Sequence, residues 1–241
     1  MAFWQVPRMW DGGECWILGG GPSWLGQFKV PSKIKSRVLS KELPASACSP
    51  YLEVLHDRHV IAINNAYQVG EWIDFVFFGD CSWYLAHRKR LAEWPGLKVT
   101  CCNRFESKKK EDSEGIKYLS KYKKARRGRD RKYGISDNPR YVCWNHNSGA
   151  AAISLAALLG VKRIILLGFD MNAGTDVSHW HGSHSKGKVI PKDKRQKTYD
   201  RHLRGFPAIA EDAKKLGIEI LNASPISTIP DFPKVKALEM L

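Results

Sequence analysis

No apolar run in the 241-residue chain approaches the roughly 18–20 residues of a membrane-spanning helix, so no membrane span is expected. Met1 to Glu14 holds no apolar core and no cleavage site of a secretory leader. There is no Cys-x-x-Cys pair and no dense disulfide framework among Cys15, Cys48, Cys81, Cys101, Cys102 and Cys143. Scattered thiols of this kind predict reduced side chains and a cytoplasmic protein (the host's cytoplasm for a phage-encoded chain). Neither a Walker A loop nor Gly-x-Gly-x-x-Gly occurs, so the common nucleotide fingerprints are excluded. Asp-x-Asp, the pair that holds a divalent ion on a nucleotide diphosphate in metal-dependent glycosyl transfer, is also missing. What is present is enough hydrophobic residue, 43%, for one sizeable core, and residues 1–241 read as a single α/β domain.

Charge is unevenly placed. The formal net charge is +15. Residues 108–132 carry twelve Lys/Arg against four Asp/Glu, and residues 186–204 carry eight against two, so these two stretches account for +14. A basic face points to a polyanionic partner such as DNA, or to a multiply phosphorylated substrate, with a merely solvated surface as the alternative. Lys108, Lys109, Lys110, Lys123, Lys124, Arg126, Arg127 and Arg129 are the candidate polyanion contacts. The segment 104–142 around them has little apolar periodicity and is expected to be a basic insertion or lid rather than core.

Short apolar runs that end in glycine or polar residues mark the strands. They are 14–18, 60–63, 75–78, 97–101, 163–167 and 218–221. Helices are expected over 83–93, 148–159 and 200–216, the last two stopped by Gly160 and Gly217. The alternation predicts a Rossmann-like, mostly parallel sheet covered on both faces.

Ligands of such sheets bind beyond the carboxyl ends of the strands. Gly19, Gly20, Gly21, Pro22 and Ser23 follow the first strand, and glycines there let backbone amides approach a phosphate, or simply make a tight turn. Asn64, Asn65 and Asp80 follow the next two strands. Asn147, Ser148 and Gly149 open a helix whose N-terminus either is merely capped or attracts an anion. Gly168 and Asp170 follow the strongest strand. His179, His181 and His184 then fall within six residues of a chain holding eight histidines. A general base tuned near neutral pH, a metal site of His-x-His-x-x-His spacing and a decorated surface loop are three readings of that cluster.

These segments together resemble the family-42 sialyltransferases of bacterial surface glycans, and a set of phage and bacterial proteins that share a domain with archaeal 6-hydroxymethylpterin diphosphokinases. Trp16 to Ser23, Ile63 to Tyr67, Asn147 to Met171 and His179 to Lys186 match in order. The resemblance spans about 200 residues and omits 24–58 and 104–142. It implies a GT-A-like sialyltransferase variant of the Rossmann-like fold and a metal-independent, inverting glycosyltransferase. No cofactor is implied beyond a nucleotide-sugar co-substrate. Gly20, Gly21, Pro22, Asn64, Ser148 and Gly149 would hold the nucleotide, and His184 would be the base. The family's tyrosines after the Gly-x-Asp strand end are replaced here by Met171-Asn172-Ala173-Gly174, so CMP-sialic acid is not implied as donor. Arg127 or Arg129 would then assist the departing phosphate, and Asp170 would orient the base or bind ribose. The His-Trp-His-Gly-x-His form is closer to the phage proteins, which makes a hydroxylated DNA base an acceptor to consider beside a glycan. Diphosphoryl transfer to a small alcohol, and nucleic-acid binding without turnover, are the competing functions.

Overall fold

The computed structural model describes residues 4–106, 115–122, 133–174, 177–181 and 191–241. Seven strands form one sheet in the order β5-β4-β3-β2-β1-β8-β9: β1 (Glu14–Leu18), β2 (Val60–Ile63), β3 (Phe75–Phe78), β4 (Leu97–Thr100), β5 (Ile116–Tyr118), β8 (Arg163–Leu167) and β9 (Glu219–Asn222). Every pairing is parallel. β6 (Ser120–Lys121) and β7 (Tyr141–Val142) make a separate two-stranded parallel pair.

Parallel strands joined by crossovers are covered on both faces, which is why their sequences run apolar without alternation. Trp16, Leu18, Val60, Ala62, Val76, Phe78, Ile165 and Leu167 face one core. Cys15, Ile17, Ile61, Ile63, Phe75, Phe77, Ile164 and Leu166 face the other. The helices are α1 (Trp24–Gln27), α2 (Ser32–Leu39), α3 (Cys81–Glu93), α4 (Ser148–Leu158), α5 (Lys192–Leu203) and α6 (Phe206–Leu216). The Ala-rich α4 buries seven successive residues, Ala150 to Ala156, against the second face.

From β1 the chain builds outward on one side through β2 to β5, then crosses to add β8 and β9 on the other. The switch point therefore lies between the carboxyl ends of β1 and β8, the place where open α/β sheets bind ligands.

Three expectations change. Residues 200–216 are not one helix. The helix begins at Lys192, eight residues ahead of the expected start, and breaks at Gly205 before Pro207 near the start of α6. A Cβ at Gly205 would lie 2.7 Å from Cβ of buried Asn145, so the break is also where the chain passes that side chain closely. Second, the described parts of 104–142 contribute a strand and several side chains to the core. β5 is an edge strand of the main sheet, and Phe105, Ile116, Tyr118, Leu119, Ile135 and Val142 are buried. Third, Cys81 and Cys102 are joined in a disulfide between the starts of α3 and the segment after β4, against the expectation of six free thiols. The other four are buried, and burial lifts the Cys48 thiol to about 11 and that of Cys101 to about 12. No helix among the described residues is long and apolar enough to cross a membrane.

Candidate functional site

An open cleft of about 1290 Å³ lies over the switch point. It gathers Gly19, Gly20, Gly21, Asn64, Asn65, Asp80, Asn147, Ser148, Gly149, Gly168, Asp170, His179 and His181. These come from six separate segments of the chain. Pro22 and Ser23 do not line it. His184 and the eight basic candidates, Lys108, Lys109, Lys110, Lys123, Lys124, Arg126, Arg127 and Arg129, lie outside the described residues.

The glycine loop does something other than offer a row of free amides. The Gly19 amide donates to the Leu167 carbonyl (2.7 Å), that of Gly21 to Gly168 (2.9 Å) and that of Ser23 to Asp170 Oδ2 (3.1 Å). Three of the loop's donors are thus spent on the end of β8, and Gly20 is the loop residue whose amide is not committed in this way. The glycines are needed for close approach. A Cβ at Gly19 would sit 2.8 Å from the Gly168 carbonyl oxygen, and one at Gly21 2.5 Å from Asp170 Cγ. Gly168 itself has φ +69°, a conformation that suits glycine.

Asp170 is 5% exposed and accepts from both the amide and the hydroxyl of Ser23. Burial raises its pKa, and the two Ser23 hydrogen bonds oppose the rise. In this geometry the carboxylate clasps the glycine loop to β8.

The His-Trp-His segment is organised by its middle residue. Trp180 is buried, donates from Nε1 to the Gly19 carbonyl (3.2 Å) and from its amide to Gly20 (3.0 Å), and meets Trp24 edge-on. With the tryptophan pinned under the loop, the flanking His179 and His181 both line the cleft, their ring centroids 5.2 Å apart. A Cβ at Gly20 would lie 2.6 Å from His179 Cδ2, so the imidazole rests on that glycine.

A relay selects the tautomer of a neutral His181. Trp83 Nε1–H can only donate, and it donates to Asn65 Oδ1 (2.5 Å). The Asn65 amide nitrogen therefore faces His181 Nδ1 at 3.3 Å. An amide N–H donates, so Nδ1 accepts and the neutral ring carries its proton on Nε2. His181 is thereby set as a donor at Nε2.

Two left-handed residues precede α4: Asn145 (φ +49°) and His146 (φ +59°). Asn145 is fully buried, and its side chain accepts from the Gly134 amide and donates to the Gly134 and Cys143 carbonyls. That network holds a turn which would otherwise cost about 1–3 kcal/mol per strained residue. Asn147 then caps the helix, accepting from the Ala150 amide at 2.7 Å. Ser148 and Gly149 follow in the first turn, where a helix leaves amides without internal partners and favours negative charge. Asn64 is also left-handed (φ +50°), and its buried Oδ1 has no partner among the described residues. An unsatisfied buried carbonyl costs about 1–3 kcal/mol, which a ligand donor would recover.

Sequence reading missed one wall of the cleft. Arg195, Thr198, Tyr199, Arg201 and His202 line it from α5. Burial first, then Arg201 and His146, lowers His202 to about 4, so it is neutral at pH 7. Burial raises the Tyr199 phenol. The signal was available as the helical spacing of 195, 198, 199 and 202, but three of these four positions lie ahead of the expected helix start at 200. Trp83, His87 and Arg90 of α3 line the cleft as well.

No family model and no curated protein matches the chain. Among solved structures, the sialyltransferase CstII from Campylobacter jejuni, in complex with the substrate analogue CMP-3FNeuAc, is similar at 15% identity and a TM-score of 0.48, covering 92% of this chain and 86% of that one.

Proposed function

We propose that the chain is an inverting, metal-independent glycosyltransferase that moves a sugar from a nucleotide-sugar donor to a hydroxyl of a polyanionic acceptor, with a hydroxylated DNA base the first candidate. The observation that carries this reading is the convergence, in one switch-point cleft, of the α4 N-terminus, the buried carbonyl of Asn64 that has no partner among the described residues, two arginines of α5 and a pair of histidines. A nucleotide phosphate suits the α4 N-terminus, with Arg195 and Arg201 offsetting its charge. Asn64 Oδ1 suits an N–H or O–H of the nucleoside. A base removes the acceptor proton, and the oxygen attacks the anomeric carbon in line. The bond from that carbon to the phosphate oxygen breaks, and the nucleotide leaves with the bonding pair. His184 is the residue proposed as base. His181, a donor at Nε2, suits an oxygen that gains charge instead. A base within duplex DNA would have to be flipped into the cleft.

The test is a thermal-shift screen with CMP, UDP, GDP and ATP, followed by product analysis with the matching nucleotide sugar. A tight site raises stability by about 2.7 kcal/mol at a hundredfold excess over Kd. No shift with any nucleotide overturns the reading, and AMP as product from ATP replaces it with diphosphoryl transfer. His184→Ala is expected to lose about 10²–10⁴ in turnover with nucleotide binding nearly unchanged. Stoichiometric zinc, with equal losses at His179, His181 and His184, would replace the mechanism with a metal-dependent one.

A further inference from the structure

We infer that the outer face of α5 is a docking row for the phosphates of a nucleic-acid strand whose acceptor base enters the cleft beside it. The inference rests on the acceptor reading above and identifies the surface that delivers it.

Residues 194, 197, 201 and 204 follow one another at i, i+3, i+7 and i+10, which on an α-helix is a single line. All four are cations: Lys194, Lys197, Arg201 and Arg204, the last being the C-cap with helical backbone angles. All four are exposed, and none makes an ion pair among the described residues. The two acids of the helix, Asp193 and Asp200, fall with Gln196 on the line adjoining the row on its side away from the cleft, one helical turn from Lys197 and Arg204, and the Gln196 amide donates to Asp200 at 2.8 Å. The half-buried residues Arg195, Thr198, Tyr199 and His202 form a third line, facing the cleft. Arg201 lies at the boundary, exposed in the row yet lining the cleft. The helix thus sorts its charge into a cationic row bordering the site.

Other helices do not. α2 places Lys33, Lys35 and Arg37 at every second residue, and α3 places Arg88, Lys89 and Arg90 consecutively, so both sets splay around their helix. Arg37 is also paired with Glu42.

Ten residues of helix give the row a length of about 15 Å. One strand of DNA presents a phosphate about every 3.4 Å of axis, so the row spans about four. The cleft of about 1290 Å³ exceeds the roughly 300–1,000 Å³ of a typical single-ligand site, leaving room for a base beside a nucleotide. Tyr199 and Trp144 are among the residues that line it. A single strand is held by cations that track its backbone and by rings that stack its bases, and here the row would supply the first and the cleft the second.

The experiment compares wild type with Lys194→Gln/Lys197→Gln/Arg204→Gln, leaving Arg201 in place. Binding of a fluorescein-labelled 20-nucleotide single strand is followed by anisotropy across salt concentrations. Losing three phosphate contacts should lower the log–log salt slope by about 2 and weaken binding at low salt at least tenfold. Nucleotide-induced thermal shifts should not change. Should the triple variant melt early, Lys197→Gln alone should lower the slope by about 0.7. An unchanged slope, or wild type that does not bind DNA at low salt, overturns the row. Salt-dependent binding of a heparin fragment through these three residues, without DNA binding, overturns the nucleic-acid occupant. If no nucleotide shifts the melting curve yet the slope difference appears, the glycosyltransferase reading fails and the docking row stands.

Discussion

At the floor of the cleft, Gly19, Gly21 and Gly168 pack so closely that a single added carbon on any of them would meet its neighbours at under 3 Å. Along the rim, α5 buries none of its twelve residues. Apart from the Gly20 amide and Asn64 Oδ1, the floor commits its groups to the protein: loop amides to β8, Ser23 to Asp170, Trp180 to Gly19. The rim leaves Lys194, Lys197, Arg201 and Arg204 exposed to solvent. Binding groups can be spared only where something else holds the backbone, and here the floor holds so that the rim need not. The expectation is that floor substitutions are read as stability and rim substitutions as binding.

The largest effect should come from Trp180→Ala. Removing a buried tryptophan costs about 3–5 kcal/mol, which in a domain this size lowers Tm by about 10 °C. A melting temperature within 2 °C of wild type, on differential scanning calorimetry, would show that the His-Trp-His segment is not anchored as described. Gly21→Ala comes next. Its Cβ would meet Asp170 and the Gly168 carbonyl, and overpacking of this kind costs about 1–3 kcal/mol. Chemical denaturation should find that loss, and a neutral substitution would break the contrast between floor and rim.

Trp83→Phe tests the relay. It removes the hydrogen bond that orients Asn65, worth about 0.5–1.5 kcal/mol, and frees His181 to exchange tautomers. Turnover should fall up to about tenfold. Asn65→Asp, which presents an acceptor to Nδ1 and draws a proton there, should lose more, with a shifted pH–rate profile. Identical rates and profiles in both variants would remove the tautomer argument.

The smallest effect concerns His202. The unfolded chain takes up a proton near pH 6.5 that the native chain refuses until about 4. The stability this neutral histidine contributes is therefore fully present above pH 6.5 and is lost as pH falls toward 4. His202→Gln should flatten the urea midpoint across that window. A wild-type midpoint as pH-dependent as the variant's would place the titration elsewhere.

Strands and their ends were legible because each strand's apolar run is a local property, set by residues within five positions. The candidate loops followed from the rule that parallel sheets bind at their carboxyl ends. Less was legible in residues 104–142. There β5 contributes three residues to the sheet edge, and the surrounding charge hides them. The break at Gly205 escaped notice because one glycine amid helix-formers reads as tolerated, until Asn145 is seen packed against it.

By itself the sequence determined the parallel α/β class, the glycine and asparagine positions at the strand ends, and the grouping of basic residues. Once α5 exists, even the row of four cations follows from spacing alone. Only the tertiary structure decided what those residues do to each other. Ser23 reaches Asp170 across 147 positions, and Asn65 reaches His181 across 116. Whether a glycine loop gives its amides to a ligand or to a neighbouring strand, and which nitrogen of a histidine holds the proton, depend on partners that distant. No local propensity encodes them, because they exist only once the sheet has brought its carboxyl ends together.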